Sequence, residues 1–310
     1  MKLIESSAEY IPQEEGLQGI YKQIERAGRI CYKSEDKITD DSAKEFVDRM
    51  ISSGHLAMLE HGTMYMQVPL TKDTYYIYHT FAFDKYSKVN GIYPDKQSTF
   101  YITTNFRVFT ERGFIKPLDY LCSPTDLHEK RYTFKLITSI GIVRELLRHR
   151  VFSFANESTR YCNYSKDKFD NEITFIIPSW STLSHGTVQL LPKNYKDAVF
   201  CIRQEHLDGP VVIPDKNGNL EFLEVCAASE REYKTMIKED FTAQQAREVL
   251  PLCTKSELIM TGFESDWQHF FSLRLFGQTG KPHPDMVILC EKIKDECIKN
   301  NIMTSIFRKE

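Results

Sequence analysis

The sequence predicts one α+β domain spanning residues 1–310, with a central, mainly antiparallel sheet flanked by helices and interrupted by an inserted region. Three observations predict it. Apolar residues recur at helical spacing over 17–31 and through most of the chain from 194 onward. Runs at 62–70 and 131–138 have the texture of strands. No repeat or low-complexity linker divides the chain.

Taken in order, Leu17, Ile20, Tyr21, Ile24, Ala27 and Cys31 give the first helix its apolar stripe. A second helix starts at Ser42, with Glu45 at capping-box distance, Phe46, Met50 and Ile51 on its apolar side, and Gly54 as its stop. Residues 62–70 form a strand. Residues 71–130, rich in Tyr, Phe and Thr with turn signals at Asn90-Gly91 and Tyr93-Pro94, read as an inserted hairpin and helix. A strand at 131–138 leads into a helix at 140–149 that faces Ile140, Val143 and Leu147 to the core. After a loop, Ile173–Ile177 is a buried strand ended by Pro178. Helices follow at 194–207, 220–238, 242–250, 265–275 and 284–299, with a turn at Asp215-Lys216-Asn217-Gly218. Thr242 with Gln245, and Ser265 with Gln268, have capping-box spacing, and Pro251 limits the helix before it.

The formal net charge of −3 argues against a general nucleic-acid coat, which needs excess Lys and Arg. No apolar run approaches the roughly 20 residues that cross a bilayer, and the opening segment turns acidic after four residues, unlike a secretion signal. Eight scattered cysteines without a C-x-x-C pair fit reduced thiols in a cytoplasmic protein. No metal-ligand spacing stands out, so no metal is expected.

The densest polar cluster is RHRVFSFANESTRY, residues 148–161, at the end of the 140–149 helix. Arg148 and His149 have a bland reading as cations favoured by a helix C-terminus. The segment beyond them is also rich in donors, and guanidinium groups with hydroxyls suit a phosphate.

This segment resembles the signature of the flavin-dependent thymidylate synthases, RHR followed by seven residues and a serine, here Ser158 with Thr159, Arg160 and Tyr161. Further blocks match in order. Arg29-Ile-Cys31-Tyr32 resembles A-R-x-[SC]-[YF]. Gly54-His55 with Glu60-His61 resembles G-H-x-x-x-x-E-H. Ala246-Arg247-Glu-Val-Leu-Pro251 matches A-R-x-x-L-P. Thr261-Gly-Phe263 with Trp267 through Arg274 resembles the family's late helix. Residues 71–130 have no counterpart in compact members.

The resemblance implies reductive methylation of dUMP to dTMP, with methylenetetrahydrofolate as one-carbon donor and NADPH as reductant through FAD. It implies Arg274 as the residue that activates the pyrimidine, since a fixed cation stabilises charge developing on the ring. Without the match, Arg274 would read as a surface cation at a helix end. Glu145, Arg148, Asn156, Glu157, Ser158, Thr159, Arg160, Arg247 and Arg274 are the implied dUMP contacts. The implied FAD contacts are His55, Ala57, Arg148, His149, Arg150, Asn156, Phe263, Ser265 and His269. A homotetramer with active sites between subunits follows from the same resemblance. His269 and Arg274, five apart, leave their helix on different sides and suit different ligands or subunits.

Some positions depart from the pattern. Glu145 stands where Gln is common; alone it reads as an ion-pair partner of Arg148 or His149. The Asn156-Glu157 pair comes one place later than in many relatives, leaving open which residue meets a ligand. Phe263 and Ser265 stand where Asn and Arg are frequent. Ser158 has no adjacent base to make it a nucleophile and reads as a binding hydroxyl. Without a G-x-G-x-x-G or a P-loop, NADPH docks transiently. The rival reading is a nucleotide- or RNA-binding protein that uses the Arg-rich segment and stacking aromatics; the net charge weakens it.

Overall fold

A computed structural model describes residues 1–92, 98–113, 116–166, 169, 171–193, 197–203, 211–213 and 218–308. Its strands are β1 (Lys2–Ile4), β2 (Ser7–Tyr10), β3 (Thr63–Pro69), β4 (Lys88–Ile92), β5 (Thr99–Asn105), β6 (Arg131–Ser139), β7 (Ser153–Asn156), β8 (Thr174–Ile176), β9 (Gly186–Lys193), β10 (Asp197–Arg203), β11 (Val211–Val212) and β12 (Lys255–Phe263). Its helices are α1 (Gly16–Ile30), α2 (Ser42–Ser52), α3 (Tyr75–Ala82), α4 (Phe106–Glu111), α5 (Ile140–Leu146), α6 (Asn219–Lys238), α7 (Ala243–Ala246), α8 (Glu264–Arg274) and α9 (Pro284–Lys299). The expected α+β class holds, with antiparallel pairing dominant.

A four-stranded antiparallel sheet, in the order β2-β6-β12-β7, positions the site. Strands β6 and β12 pair along their whole length, from Ser139↔Lys255 to Arg131↔Phe263. From β12, all but Lys255 is buried, so no polar alternation marks it as a strand; a strand covered on both faces reads as a continuous apolar run. Strand β7 lies inside the segment read as a loop, and its four residues pair with Leu258–Thr261. Trp267, Phe270 and Phe271 of α8 and Met286, Leu289, Cys290 and Ile293 of α9 pack with Phe134, Leu136, Leu258 and Met260 of the sheet to form one core.

A second sheet runs β11-β10-β9-β1-β8. Its β1–β8 pair is parallel and the others are antiparallel. Here the expected helix at 194–207 is corrected: its described part, 197–203, is strand β10, paired with β9 from Lys193↔Asp197 to Thr187↔Arg203. Its apolar run is short and contains Val199, Phe200 and Ile202, residue types that fit a pleated surface. A short apolar run cannot be told from a buried helix by periodicity alone.

Residues 71–130 supply α3, β4, β5 and α4. They recruit β3 into a separate sheet of order β3-β5-β4. Asn90-Gly91, read as a turn, lies within β4 opposite Tyr101 and Phe100; Tyr93-Pro94 lies outside the described residues. Asp215 to Asn217 do too, and Gly218 turns the chain into α6 at φ +72°.

Helix boundaries follow local chemistry. The capping box expected at Ser42 and Glu45 does not form. The Ser42 hydroxyl donates instead to Glu25 Oε2 at 2.8 Å and to Thr39 O at 3.1 Å. Gly54 adopts φ +72° just beyond α2, a conformation that glycine reaches without Cβ strain. Helix α5 is capped by Ser139 Oγ, which accepts from Ile142 N at 3.2 Å. It ends at Leu146, earlier than expected. Ile142, Val143 and Leu146 form its buried side, while Leu147 is 43% exposed. The box at Thr242 does form, with Gln245 Oε1 accepting from Thr242 N at 2.9 Å. The one expected at Ser265 and Gln268 does not: Phe263 precedes the helix, and its N–H donates to Asp266 Oδ2 at 3.2 Å.

Candidate active site

The residues singled out from the sequence fall into groups at either end of β7. At the N-terminal end, α5 and α8 bring their C-termini together. Arg274, the last residue of α8, donates from Nη1 to Glu145 Oε2 at 2.8 Å and from Nε to His149 Nε2 at 3.0 Å. Its Nη2 approaches the Glu145 carbonyl at 3.4 Å. Glu145 therefore pairs with Arg274 rather than with Arg148 or His149. Two helix C-termini, each with partial negative charge, favour a cation at that spot.

The His149 ring stands edge-on to Phe270, 5.1 Å between centroids, and also meets Phe152. Burial first, then Arg274, His269 and Arg148, hold its pKa down at about 4. Since guanidinium only donates, Nε2 must carry the lone pair and Nδ1 the proton. Arg148 and Arg150 flank this ring on an exposed turn. Neither makes an ion pair or side-chain hydrogen bond among the described residues.

At the other end of β7 the chain continues into Glu157–Arg160. Arg247 Nη1 donates to Thr159 Oγ1 at 3.1 Å, and Arg160 Nε donates to Gln244 Oε1 at 3.3 Å. The Ser158 backbone is fixed by its N–H on Cys31 O, 3.0 Å, and its hydroxyl makes no hydrogen bond among the described residues. Arginines on two elements beside an available hydroxyl form a cationic lip suited to a phosphate. Along the chain, β7 separates this lip from the turn that carries His149.

Asn156 and Glu157 are resolved by packing. Asn156 Oδ1 accepts from Ser256 Oγ at 2.9 Å. The Glu157 side chain is fully buried: it pairs with Lys255 Nζ at 2.8 Å and accepts from Tyr164 OH at 3.2 Å. That arrangement places the Glu157 carboxylate in an interior network. Lys255 also pairs with Glu257 at 2.7 Å, and Lys33 contacts Glu257 directly. Burial raises the Glu257 pKa, but Lys255 and Lys33 outweigh it and hold it at about 2.

Phe263 is buried, with Lys88 Nζ 5.6 Å and Arg131 5.3 Å from its ring centroid. Ser265 contacts Glu129 through its hydroxyl and its N–H. Phe263 is thus packed under Lys88 and Arg131, while Ser265 is exposed and bonded to Glu129. His55, Ala57 and His269 are exposed. His61, beside His55 in the same block, is fully buried with Nδ1 2.8 Å from Thr261 Oγ1, so it belongs to the core. Gln244, Lys255, Glu257 and Glu129 were not anticipated. Apart from the Lys255–Glu257 pair, the partners cited for them are 84 or more residues away in sequence, and no local spacing announces those contacts. A cavity of about 310 Å³ lined by Gln13, Tyr65, Cys122 and Arg131, among others, includes none of the anticipated residues.

The family model described as "Thymidylate synthase complementing protein" matches residues 123–300, more than half of the chain and every block that carries these groups except the Arg29 and Gly54 elements. The chain belongs to this family. Among relatives of the thymidylate synthase complementing family, a flavin-dependent thymidylate synthase of Corynebacterium aurimucosum is 23% identical over 96% of this chain and 86% of its own length. A probable flavin-dependent thymidylate synthase of Paramecium bursaria Chlorella virus 1 is 27% identical over 52% of the chain. One from Synechocystis is 27% identical over the same share. The chain spans 64% of the length of these last two. A solved structure titled as a UMP/dUMP methylase, PolB from Streptomyces cacaoi, is 17% identical with a TM-score of 0.43, covering 99% of this chain and 96% of that one.

The donor set fits a flavin dinucleotide in part. Arg148 and Arg150 offer cations without an ion-pair partner among the described residues, and His55 and His269 exposed imidazoles, for an anionic pyrophosphate and its flanking groups. Phe263 and Ser265 are already engaged by the chain itself. Among the described residues no group of three His, Cys, Asp or Glu is arranged to hold a metal ion, and no helix is long and apolar enough to cross a membrane.

Proposed function

We propose that the chain is a flavin-dependent thymidylate synthase that converts dUMP to dTMP with methylenetetrahydrofolate, NADPH and FAD. The observation that carries the reading is the pairing of an anion-ready lip (Ser158, Thr159, Arg160 and Arg247) with a clamped, partly exposed Arg274 across one short strand. The lip holds the nucleotide phosphate through charge-assisted hydrogen bonds. The remaining N–H groups of Arg274 stabilise negative charge as it develops on the pyrimidine carbonyls, which raises the nucleophilicity of C5. FAD, when bound, supplies the redox chemistry. His55, Ala57, Arg148, Arg150 and His269 are the residues on hand to hold it.

We further propose one domain over 1–310 with the insertion at 71–130, a cytoplasmic location, transient docking of NADPH, and a homotetramer whose active sites join the groups of neighbouring subunits. The exposure of Arg148, Arg150 and His269 supports the last of these. Light scattering would then report a particle of four 36.2 kDa chains.

Incubation with dUMP, methylenetetrahydrofolate, NADPH and FAD tests the activity. The expected product is dTMP, dependent on every component. Full FAD occupancy with no dTMP, or with another methylated pyrimidine instead, would overturn the reading. The second outcome would favour a related pyrimidine methylation, for which the carboxylate of Glu145 on Arg274 is the specific pointer.

A further inference from the structure

We propose that Glu145 and His149 are positioning residues that hold the Arg274 guanidinium in one plane and one rotamer, and that His149 acts on turnover through Arg274 rather than by holding the cofactor. The inference rests on the proposed function.

The two contacts take different edges of the guanidinium. His149 accepts from the Nε–H, and Glu145 accepts from Nη1 through its carboxylate and from Nη2 through its backbone carbonyl. A guanidinium has five N–H groups in a rigid fork, so fixing two on separate nitrogens fixes its plane. One N–H on Nη1 and one on Nη2 make no hydrogen bond among the described residues, and the Arg274 side chain is 22% exposed. The holders are themselves held. Phe270, one turn before Arg274 on the same helix, and Phe152 wall the imidazole on two sides. Glu145 sits on the last turn of α5. Both contacts thus come from one segment and act on another 125 or more residues away. The charged groups around the ring are Arg274, Arg148 and His269 as cations or potential cations, and Glu145 beyond Arg274. A protonated imidazole would turn its N–H toward the Arg274 N–H and break the clamp.

Glutamine retains a side-chain acceptor at either position, whereas phenylalanine at 149 has none and alanine at 145 keeps only the backbone carbonyl that meets Nη2. The test compares His149→Phe, His149→Gln, Glu145→Ala and Glu145→Gln. It measures kcat, KM for dUMP, the FAD dissociation constant from flavin fluorescence, and the ¹⁵N–¹H signal and exchange rate of the Arg274 Nε–H. A misplacement of about 1 Å can reduce turnover on the order of 100-fold. His149→Phe and Glu145→Ala are expected to lower kcat by about that factor, with FAD affinity and KM within threefold of the parent. The glutamine variants should recover most of the rate. The protected Nε–H signal should disappear in His149→Phe and survive in His149→Gln.

Loss of FAD affinity in parallel with kcat in His149→Phe would show a cofactor contact and overturn the proposal. So would unchanged kcat, or a glutamine variant as slow as its partner. If the parent chain makes no dTMP, the proposed function fails by itself. The Nε–H signal still decides whether the clamp exists, and a signal insensitive to residue 149 sinks it.

Discussion

At the scale of single residues, charge placement governs what can be measured. His149 stays neutral down to about pH 4 because burial and three neighbouring cationic or basic groups oppose its protonation. The pH profile of kcat is therefore expected to show no His149 limb between pH 6 and 8. A limb near 6.5 that vanishes in His149→Gln would contradict this. Arg274→Ala is expected to leave FAD bound and abolish methylation, read from flavin absorbance and dTMP formation; loss of flavin would remove Arg274 from the pyrimidine role. Glu257 makes a stability argument. Its folded pKa of about 2 lies below the roughly 4.3 of a free glutamate. Its contribution is therefore complete above about pH 4.3 and is lost as pH falls toward 2. Removing one partner of a buried pair destabilises by about 3 kcal/mol. Glu257→Gln should lower unfolding stability by that order at pH 7 and by much less near pH 2.5, as followed by urea titration. A difference that does not change with pH would refute the ion-pair account.

At the scale of elements, β12 ties the sheet to α8 and so to Arg274. It passes close to Phe152 at Gly262, where an added Cβ would lie 2.4 Å from the Phe152 ring. Phe152 is also the aromatic wall beside His149. Gly262→Ala should therefore destabilise by about 1–3 kcal/mol through overpacking and reduce kcat by disturbing the clamp. Thermal melts and steady-state kinetics would show both effects. A variant with unchanged stability and rate would mean that the ring has room to move.

At the scale of the whole molecule, the segment 71–130 is tied into the fold. The ladder of β3 is made with β5, from Thr63↔Asn105 to Pro69↔Thr99. Lys88 and Arg131 pack against the Phe263 ring, and Glu129 accepts from Ser265 at the start of α8. Replacing 71–130 with a short linker would leave β3 without that ladder and uncover a buried aromatic ring. The expected result is a lower melting temperature or insoluble protein. A deletion variant that melts like the parent would show the insertion to be an independent appendage.

The sequence alone determined the features that depend on local pattern. Helical stripes placed α1, α6, α8 and α9, because the 3.6-residue period survives whatever they pack against. The signature from Arg148 to Tyr161 identified the donor-rich segment, because its spacing is covalent. Tertiary structure alone decided the rest. Strand β12 carries almost no polar alternation because both its faces are covered, and β10 was mistaken for helix because a short apolar run fits either period. Glu145 could have met Arg148 or His149 by sequence proximity; the packing of α5 against α8 gave it Arg274 instead. Glu157 and Asn156, adjacent on the chain, were separated in role by the pleat, which turned one side chain inward to Lys255 and the other to Ser256. Partners so far apart in sequence leave no periodic trace, since their contact exists only once the sheet has brought β7 and β12 side by side.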